Sequence, residues 1–326
     1  MPPLLSIRDL RTWFPIRRGL LARTVGYVRA VDGISLDVAE RETLGLVGES
    51  GCGKTTLART VLRLDPARSG EVFFEGRDLL RLSGRDLNCA RRRLQIVFQD
   101  PFASLNPRLT VMDLLTEGLL HHGLIRRRQK AEAAAALLND VGLSPDALHR
   151  YPHEFSGGQR QRLSVARALS LRPRLVICDE AVSALDVSVQ AQVLNLLLEL
   201  RERHGLAYLF ISHDLSVVRH LSHRVAVMYL GRIVELGRAS DVIERPRHPY
   251  TRALVSAIPR VGCDGRSRIV LQGDVPSPAN PPPGCVFHPR CPCAVPRCSQ
   301  TTPPLEPLAD EPDSGRLVAC LRAAEI

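Results

Sequence analysis

Apolar residues fall along this chain in two rhythms. "ETLGLVGES" (Glu42–Ser50) is a short, nearly unbroken apolar run that ends in glycine, the pattern of a strand buried on both faces. "KTTLARTVLRL" follows it with apolar positions at helical spacing. "RLVICDE" and "LAYLFISHD" are further buried strands, and "RVAVMYLGRIVELG" reads as two more joined at Gly231. Between them, "VSVQAQVLNLLLELRERHG" carries the helical period and stops at Gly205, a residue suited to a helix C-terminus. Upstream, "VMDLLTEGLL" and "RRRQKAEAAAALLNDVGL" have the apolar stripe of amphipathic helices. Strands alternating with helices predict an α/β sheet, parallel in its centre. A helical subdomain at about 89–164 is expected as an insertion within a first domain spanning 1–245. Twelve of the 24 prolines then lie between Pro276 and Pro312, so 246–326 is expected to be a separate, loop-rich extension.

Composition narrows the class. The 326 residues are 44% hydrophobic and 24% charged, ordinary for a globular protein. "MPPLLSIRDLRTWF" has no basic head before an apolar core, so no signal peptide is expected. No run of about 18 apolar residues is present to cross a bilayer. The expectation is a cytoplasmic protein with reduced thiols. The net charge of +10 reads as an arginine-rich composition, because aromatics total 4% and interleave with no basic run, which speaks against a nucleic-acid surface. Lys54 and Lys130 are the only lysines among 44 basic residues. Lys130 falls on an expected exposed helix. Lys54 lies in "GESGCGKTT", where its retention suggests a site that needs a compact ammonium rather than a planar guanidinium.

Gly48–Thr55 matches G-x-x-x-x-G-K-[ST] between an expected strand and an expected helix, as a phosphate-binding loop requires. Its glycines turn backbone N–H groups toward phosphate oxygens, and the helix N-terminus adds positive dipole. Lys54 would reach the β- and γ-phosphates, and the Thr55 hydroxyl would hold Mg²⁺. The candidate nucleotide contacts are Gly48, Ser50, Gly51, Gly53, Lys54, Thr55 and Thr56. "RLVICDE" delivers Asp179 to a strand end, where a second Mg²⁺ contact belongs, and Glu180 next to it could polarise an attacking water. In "FSGGQRQR", residues Ser156, Gly157, Gly158 and Gln159 open another helix, giving a second anion-binding turn. One nucleotide cannot easily use both turns of one chain. A head-to-tail dimer, in which each second turn covers the partner's nucleotide, resolves this.

"GESGCGKTT", "FQDPFASLNP", "FSGGQRQR", "CDEAVSALD" and "ISHD", in this order and spacing, closely resemble the ATP-binding subunits of ABC transporters. The resemblance covers residues 1 to about 245 and implies a P-loop NTPase (RecA-like) core binding ATP and Mg²⁺. It further implies that Gln99 senses the γ-phosphate and metal, Glu180 is the general base, Asp186 contacts the dimer partner and His213 is the switch histidine. Thr55, Gln99 and Asp179 would then hold Mg²⁺. The adenine-stacking aromatic would fall at Phe14, with Trp13 as the alternative. Read without the family, His213 could equally cap the helix after it. Two positions depart from the pattern: Ala181 replaces the proline usual after the glutamate, and Arg41 replaces a glycine before the phosphate-loop strand. Two rival ABC classes act on nucleic acid. The repair type has a long coiled coil between loop and signature, and the translation type has two cassettes; neither feature is visible here.

"HPYTRALVSAIP" (His248–Pro259), "GCVFHPRCPCAVPRC" (Gly284–Cys298) and the final "VAC" look like the C-terminal extension of oligopeptide, dipeptide and nickel importers. The N-terminal segment looks closer to the second of the two non-identical ATPases these systems pair. The resemblance implies a peripheral subunit on the cytoplasmic face of the membrane. Its partners would be a second ATPase, two transmembrane permease subunits and, indirectly, an extracytoplasmic substrate-binding protein, with no nucleic acid. Five of the nine cysteines are Cys285, Cys291, Cys293, Cys298 and Cys320. Disulfides are disfavoured in a reducing compartment, and five thiols in a core-poor extension favour metal ligation, whose binding energy contributes to folding. The spacing is not the C-x2-C of common zinc sites. The resemblance implies a 4Fe–4S cluster on Cys285, Cys291, Cys298 and Cys320, with Cys293 spare and Zn²⁺ as the second choice.

Overall fold

The computed structural model describes residues 2–19, 22–258, 269–308, 311 and 314–325. The chain divides into two compact units. One comprises Met1–Val38, Thr43–Arg81 and Ser212–Ile326, the other Ala39–Glu42 and Leu82–Ile211.

The first unit holds an antiparallel sheet that the sequence pattern did not announce. Its strands lie in the order Arg23–Val38, Leu5–Arg18, Ser69–Phe74, Arg77–Asp78. Four irregularities break the register between Leu5–Arg18 and Arg23–Val38, and the strand begins with three consecutive buried residues, Leu5–Ile7, followed by two exposed ones, Arg8 and Asp9, so no simple alternation marks it. A second set of strands runs Glu306–Pro307, Leu317–Val318, Arg232–Arg238, Arg224–Tyr229, Thr43–Val47. Thr43–Val47 is buried at all five positions and pairs in parallel with Arg224–Tyr229.

The 246–326 segment is less core-poor than expected. Leu317–Val318 returns to pair with Arg232–Arg238. Just before it, Arg316 is fully buried and pairs with fully buried Glu235, which also accepts the backbone N–H groups of Arg247 (3.1 Å) and His248 (3.0 Å). A buried carboxylate satisfied this way avoids the cost of an unpaired charge. Tyr229, Tyr250 and Phe287 pack ring to ring at 4.7–5.4 Å, and Leu308, Val318 and Ala323 form a small apolar cluster. Metal is therefore not the only thing available to hold this segment.

In the second unit, Ala207–Ser212, Leu175–Asp179 and Leu94–Val97 are parallel neighbours. Leu94–Val97 is a correction: the stretch expected to be helical from about 89 contains a strand, hidden because it is four residues long and directly follows the arginine-rich helix Gly84–Arg93. The helices beyond are Val111–His121, Lys130–Asp140 and Gly157–Leu169. Lys130 is not a bare surface residue, since its ammonium pairs with Asp113. The helix Val187–His204 ends at Gly205 in a left-handed conformation (φ 63°), as its position suggests. Arg41 also adopts left-handed φ (59°) at an exposed turn, which explains why glycine would be the natural residue there.

Candidate nucleotide-binding site

In the first unit the buried strand Thr43–Val47 runs into the phosphate loop, which ends at the helix Lys54–Val61. Backbone packing fixes two glycines. A Cβ on Gly48 would lie 2.1 Å from the Met228 carbonyl oxygen, and one on Gly53 (φ 107°) 2.0 Å from that of Ala30. Gly51 (φ 80°) faces open space and needs glycine for its dihedral alone. Lys54 is buried. Its Nζ donates to the carbonyls of Gly48 (2.8 Å) and Glu49 (3.0 Å) and sits 3.9 Å from Cys52 Sγ. The Cys52 thiol is pushed up by burial, partly opposed by the Lys54 charge, so it is a neutral wall of the loop. Ser50, Gly51 and Thr55 are exposed and Thr56 half-buried, so the ligand-facing side of the loop is open.

Trp13 has two guanidinium groups over its ring, Arg29 at 4.8 Å and Arg68 at 4.6 Å. Neighbouring Phe14 is half-buried. His213 is exposed at the end of its strand. The following helix, Leu215–Leu221, is capped by Asp214, whose carboxylate accepts from the Ser216 N–H at 2.7 Å. The capping role open to His213 is thus filled by its neighbour.

In the second unit Asp179 ends the fully buried strand Leu175–Asp179 and is 2% exposed. Glu180 follows with φ 47°, a strained conformation for a residue with a side chain. Gln99 Nε2 donates to Glu180 Oε2 at 3.1 Å, bringing together two expected site residues 81 positions apart. Ala181 is buried, and the turn it replaces proline in is held by Ser183 Oγ donating to the Glu180 carbonyl at 2.9 Å. The second glycine turn is a reciprocal cap. Gln159 Oε1 accepts the Ser156 N–H at 3.0 Å, and Ser156 Oγ accepts the Gln159 N–H at 3.4 Å. A Cβ on Gly158 would lie 2.3 Å from Val189 Cγ1, so packing against the helix Val187–His204 favours glycine there. Ser156, Gly157 and Gln159 are exposed. Asp186, at the N-terminus of Val187–His204, makes no capping bond with its side chain, and Val187 beside it is 84% exposed.

Cys285, Cys291, Cys293, Cys298 and Cys320 line one small cavity with His248, Phe287 and His288. The Cys285 N–H donates to the Cys298 carbonyl at 2.8 Å, closing the loop that carries four of them. Burial pushes the Cys291 thiol up to about 12 and raises Cys285 and Cys320, with neighbouring sulfurs adding to each rise. Cys293, expected to be spare, lines the same cavity as the other four. Among the described residues, no group of three or more His, Cys, Asp or Glu is placed to hold a metal ion. Neither the expected 4Fe–4S cluster nor the zinc alternative is therefore supported by a ligand group among these residues. Also among the described residues, no helix is long and apolar enough to cross a membrane.

The ABC transporter family matches residues 31–183, and the oligopeptide/dipeptide transporter C-terminal region matches 234–298. An oligopeptide transport ATP-binding protein of Bacillus subtilis, AppF, is 53% identical over 97% of this chain and 96% of its own length. A probable peptide ABC transporter ATP-binding protein of Sinorhizobium fredii is 54% identical over 97% of this chain and 89% of its own. A putative peptide import ATP-binding protein of Brucella ovis is 51% identical over 98% of both. An ATP-binding cassette solved as a dimer with ADP and phosphate shares the fold at a TM-score of 0.64 and 24% identity, covering 72% of this chain and 98% of that one. The fold is thus that of an ATP-binding cassette, the α/β P-loop NTPase expected. This chain belongs to the ATP-binding subunits of ABC transporters, in the branch that carries the oligopeptide/dipeptide transporter C-terminal region.

Proposed function

We propose that this chain hydrolyses ATP to power peptide import, paired with a second ATPase on the cytoplasmic face of the membrane beneath two permease subunits. The observation that carries the reading is a pair of open anion-binding helix N-termini, at Lys54 and at Gly157, on a chain whose relatives are named for peptide transport. Lys54 and the N–H groups of the loop take the ATP phosphates, Phe14 stacks on adenine, and the Ser156–Gln159 turn covers the partner's nucleotide. Asp186 contacts that partner. Thr55, Gln99 and Asp179 are the residues that would hold Mg²⁺, whose charge would offset that developing on the phosphates. Glu180 orients a water and takes its proton as the water oxygen bonds to the γ-phosphorus and the bond to the ADP oxygen breaks. His213 responds to the γ-phosphate. Coupling is differential binding: ATP favours the closed dimer, and its loss reopens it.

Assembly tests this reading. The purified chain should hydrolyse ATP slowly, and adding the second ATPase and the permease subunits in vesicles should raise its rate about tenfold or more. With a binding protein present, peptide but not nickel should then accumulate in an ATP-dependent way. Full activity from a strict monomer, independent of concentration, would refute the shared-site reading.

The thiol-lined cavity supports a 4Fe–4S cluster on Cys285, Cys291, Cys298 and Cys320. The four thiols line one cavity, burial favours the neutral form of Cys285, Cys291 and Cys320, and a cluster would exchange thiol protons for iron. Cys293 lines the same cavity and is the reserve ligand. Anaerobically purified protein should be brown, with about four iron and four sulfide per chain. Colourless, iron-free, folded protein would remove the cluster from the description.

A further inference from the structure

Glu49, the second residue of the phosphate loop, is gripped by residues that lie about 200 positions or more further along the chain. Its carboxylate accepts two bonds from Arg290, Oε2 from Nη1 at 2.7 Å and Oε1 from Nη2 at 3.2 Å. Its N–H donates to the hydroxyl of fully buried Tyr250 at 2.9 Å. Its carbonyl is one of the two on which Lys54 rests. Arg290 is itself enclosed, with a side chain 8% exposed, and its guanidinium lies 5.9 Å from the Tyr229 ring centre. It closes the short turn His288–Arg290, between Cys285 and Cys291. Nothing in the loop motif signals this contact, since the motif leaves its second position open.

We propose that Arg290 is a positioning residue for ATP binding, fixing Glu49 and cancelling its charge on the loop that must receive the triphosphate. The proposal rests on the phosphate loop being the ATP site. Its physical basis is twofold. A carboxylate left bare on this loop would repel an anionic ligand, and a bidentate guanidinium neutralises it in one fixed orientation. With Tyr250 holding the adjacent peptide, the loop backbone is ordered before the ligand arrives, so less freedom is lost on binding. The C-terminal extension thereby forms part of the frame of the nucleotide site.

The test is titration of the full-length chain with Mg·ATP under non-hydrolysing conditions, with KM and kcat measured in the assembled transporter. Arg290→Ala should weaken binding about tenfold and raise KM alike, with kcat close to wild type. Arg290→Ala combined with Glu49→Gln should recover most of the loss, because the bare carboxylate is gone. Arg290→Lys, which keeps the charge and loses the fork, should fall between. Arg290→Ala within about twofold of wild type would overturn the proposal. So would a double variant no better than the single, or a fall in kcat that tracks a lowered melting temperature, since either would make Arg290 a structural brace. Lys54→Ala separates the premise: if it too binds ATP normally, the loop is not the ATP site and both readings fall together. If it abolishes binding while Arg290→Ala changes nothing, only the role of Arg290 is lost.

Discussion

Replacing Glu180 with Gln should lower steady-state ATP hydrolysis by at least about 100-fold while leaving ATP binding intact. Gln keeps the length of the side chain and an oxygen able to accept from Gln99, whose amide lies 3.1 Å from Glu180 Oε2. What it loses is the negative charge and the capacity to take a proton from water. The backbone here is held at φ 47°, by the Glu180 N–H donating to the Ile211 carbonyl at 3.0 Å and by the Ser183 hydroxyl donating back. Glutamine bears that conformation as glutamate does, so the fold should be unaffected. With hydrolysis blocked and ATP still bound, the closed dimer should accumulate, visible by size-exclusion chromatography with Mg·ATP. Turnover close to wild type would remove Glu180 from the catalytic role. Dimer accumulation without ATP would show that the substitution acts through packing instead.

The parts of the site that were legible in the sequence are those where chemistry restricts residue type at short range. A phosphate loop needs glycines because backbone carbonyls stand 2.0–2.1 Å from where two Cβ atoms would be. Buried parallel strands such as Leu175–Asp179 and Ala207–Ser212 need continuous apolar runs, because both faces are covered. The reciprocal cap of Ser156 and Gln159 is written in a four-residue window. Long-range and irregular features were not legible. The antiparallel sheet around Leu5–Arg18 is broken by bulges, and Leu94–Val97 is too short to carry a period. Gln99 had no reading from its own surroundings, because its partner Glu180 is 81 residues away. Arg290 and Tyr250 were invisible as partners of Glu49 for the same reason, and Arg316 read as one arginine among many rather than as a fully buried partner of Glu235. The cysteines were legible as a group, yet the family resemblance set Cys293 apart from four neighbours with which it shares a cavity.

Lys54→Arg should behave like Lys54→Ala rather than like wild type, weakening Mg·ATP binding and lowering turnover by at least about tenfold, although it keeps the positive charge. The scarcity of lysine in the chain first marks this position, and the geometry supplies the reason. Lys54 is 4% exposed, and its ammonium fits between two loop carbonyls at 2.8 and 3.0 Å, with the Cys52 sulfur at 3.9 Å. The loop that encloses it cannot widen readily, because Gly48 packs against the Met228 carbonyl and Gly53 against that of Ala30. A guanidinium is planar and broader, with its donors spread over three nitrogens, so it cannot occupy the same point and then turn toward phosphate oxygens. The comparison separates shape from charge: alanine removes both, arginine only the first. Lys130→Arg is the control, exchanging one cation for another beside Asp113, and should change neither affinity nor rate. Titration of the full chain with Mg·ATP and the ATPase rate of the assembled transporter read out the outcome. If Lys54→Arg matched wild type in both, charge alone would suffice at this position, and the retained lysine would carry no information about the site.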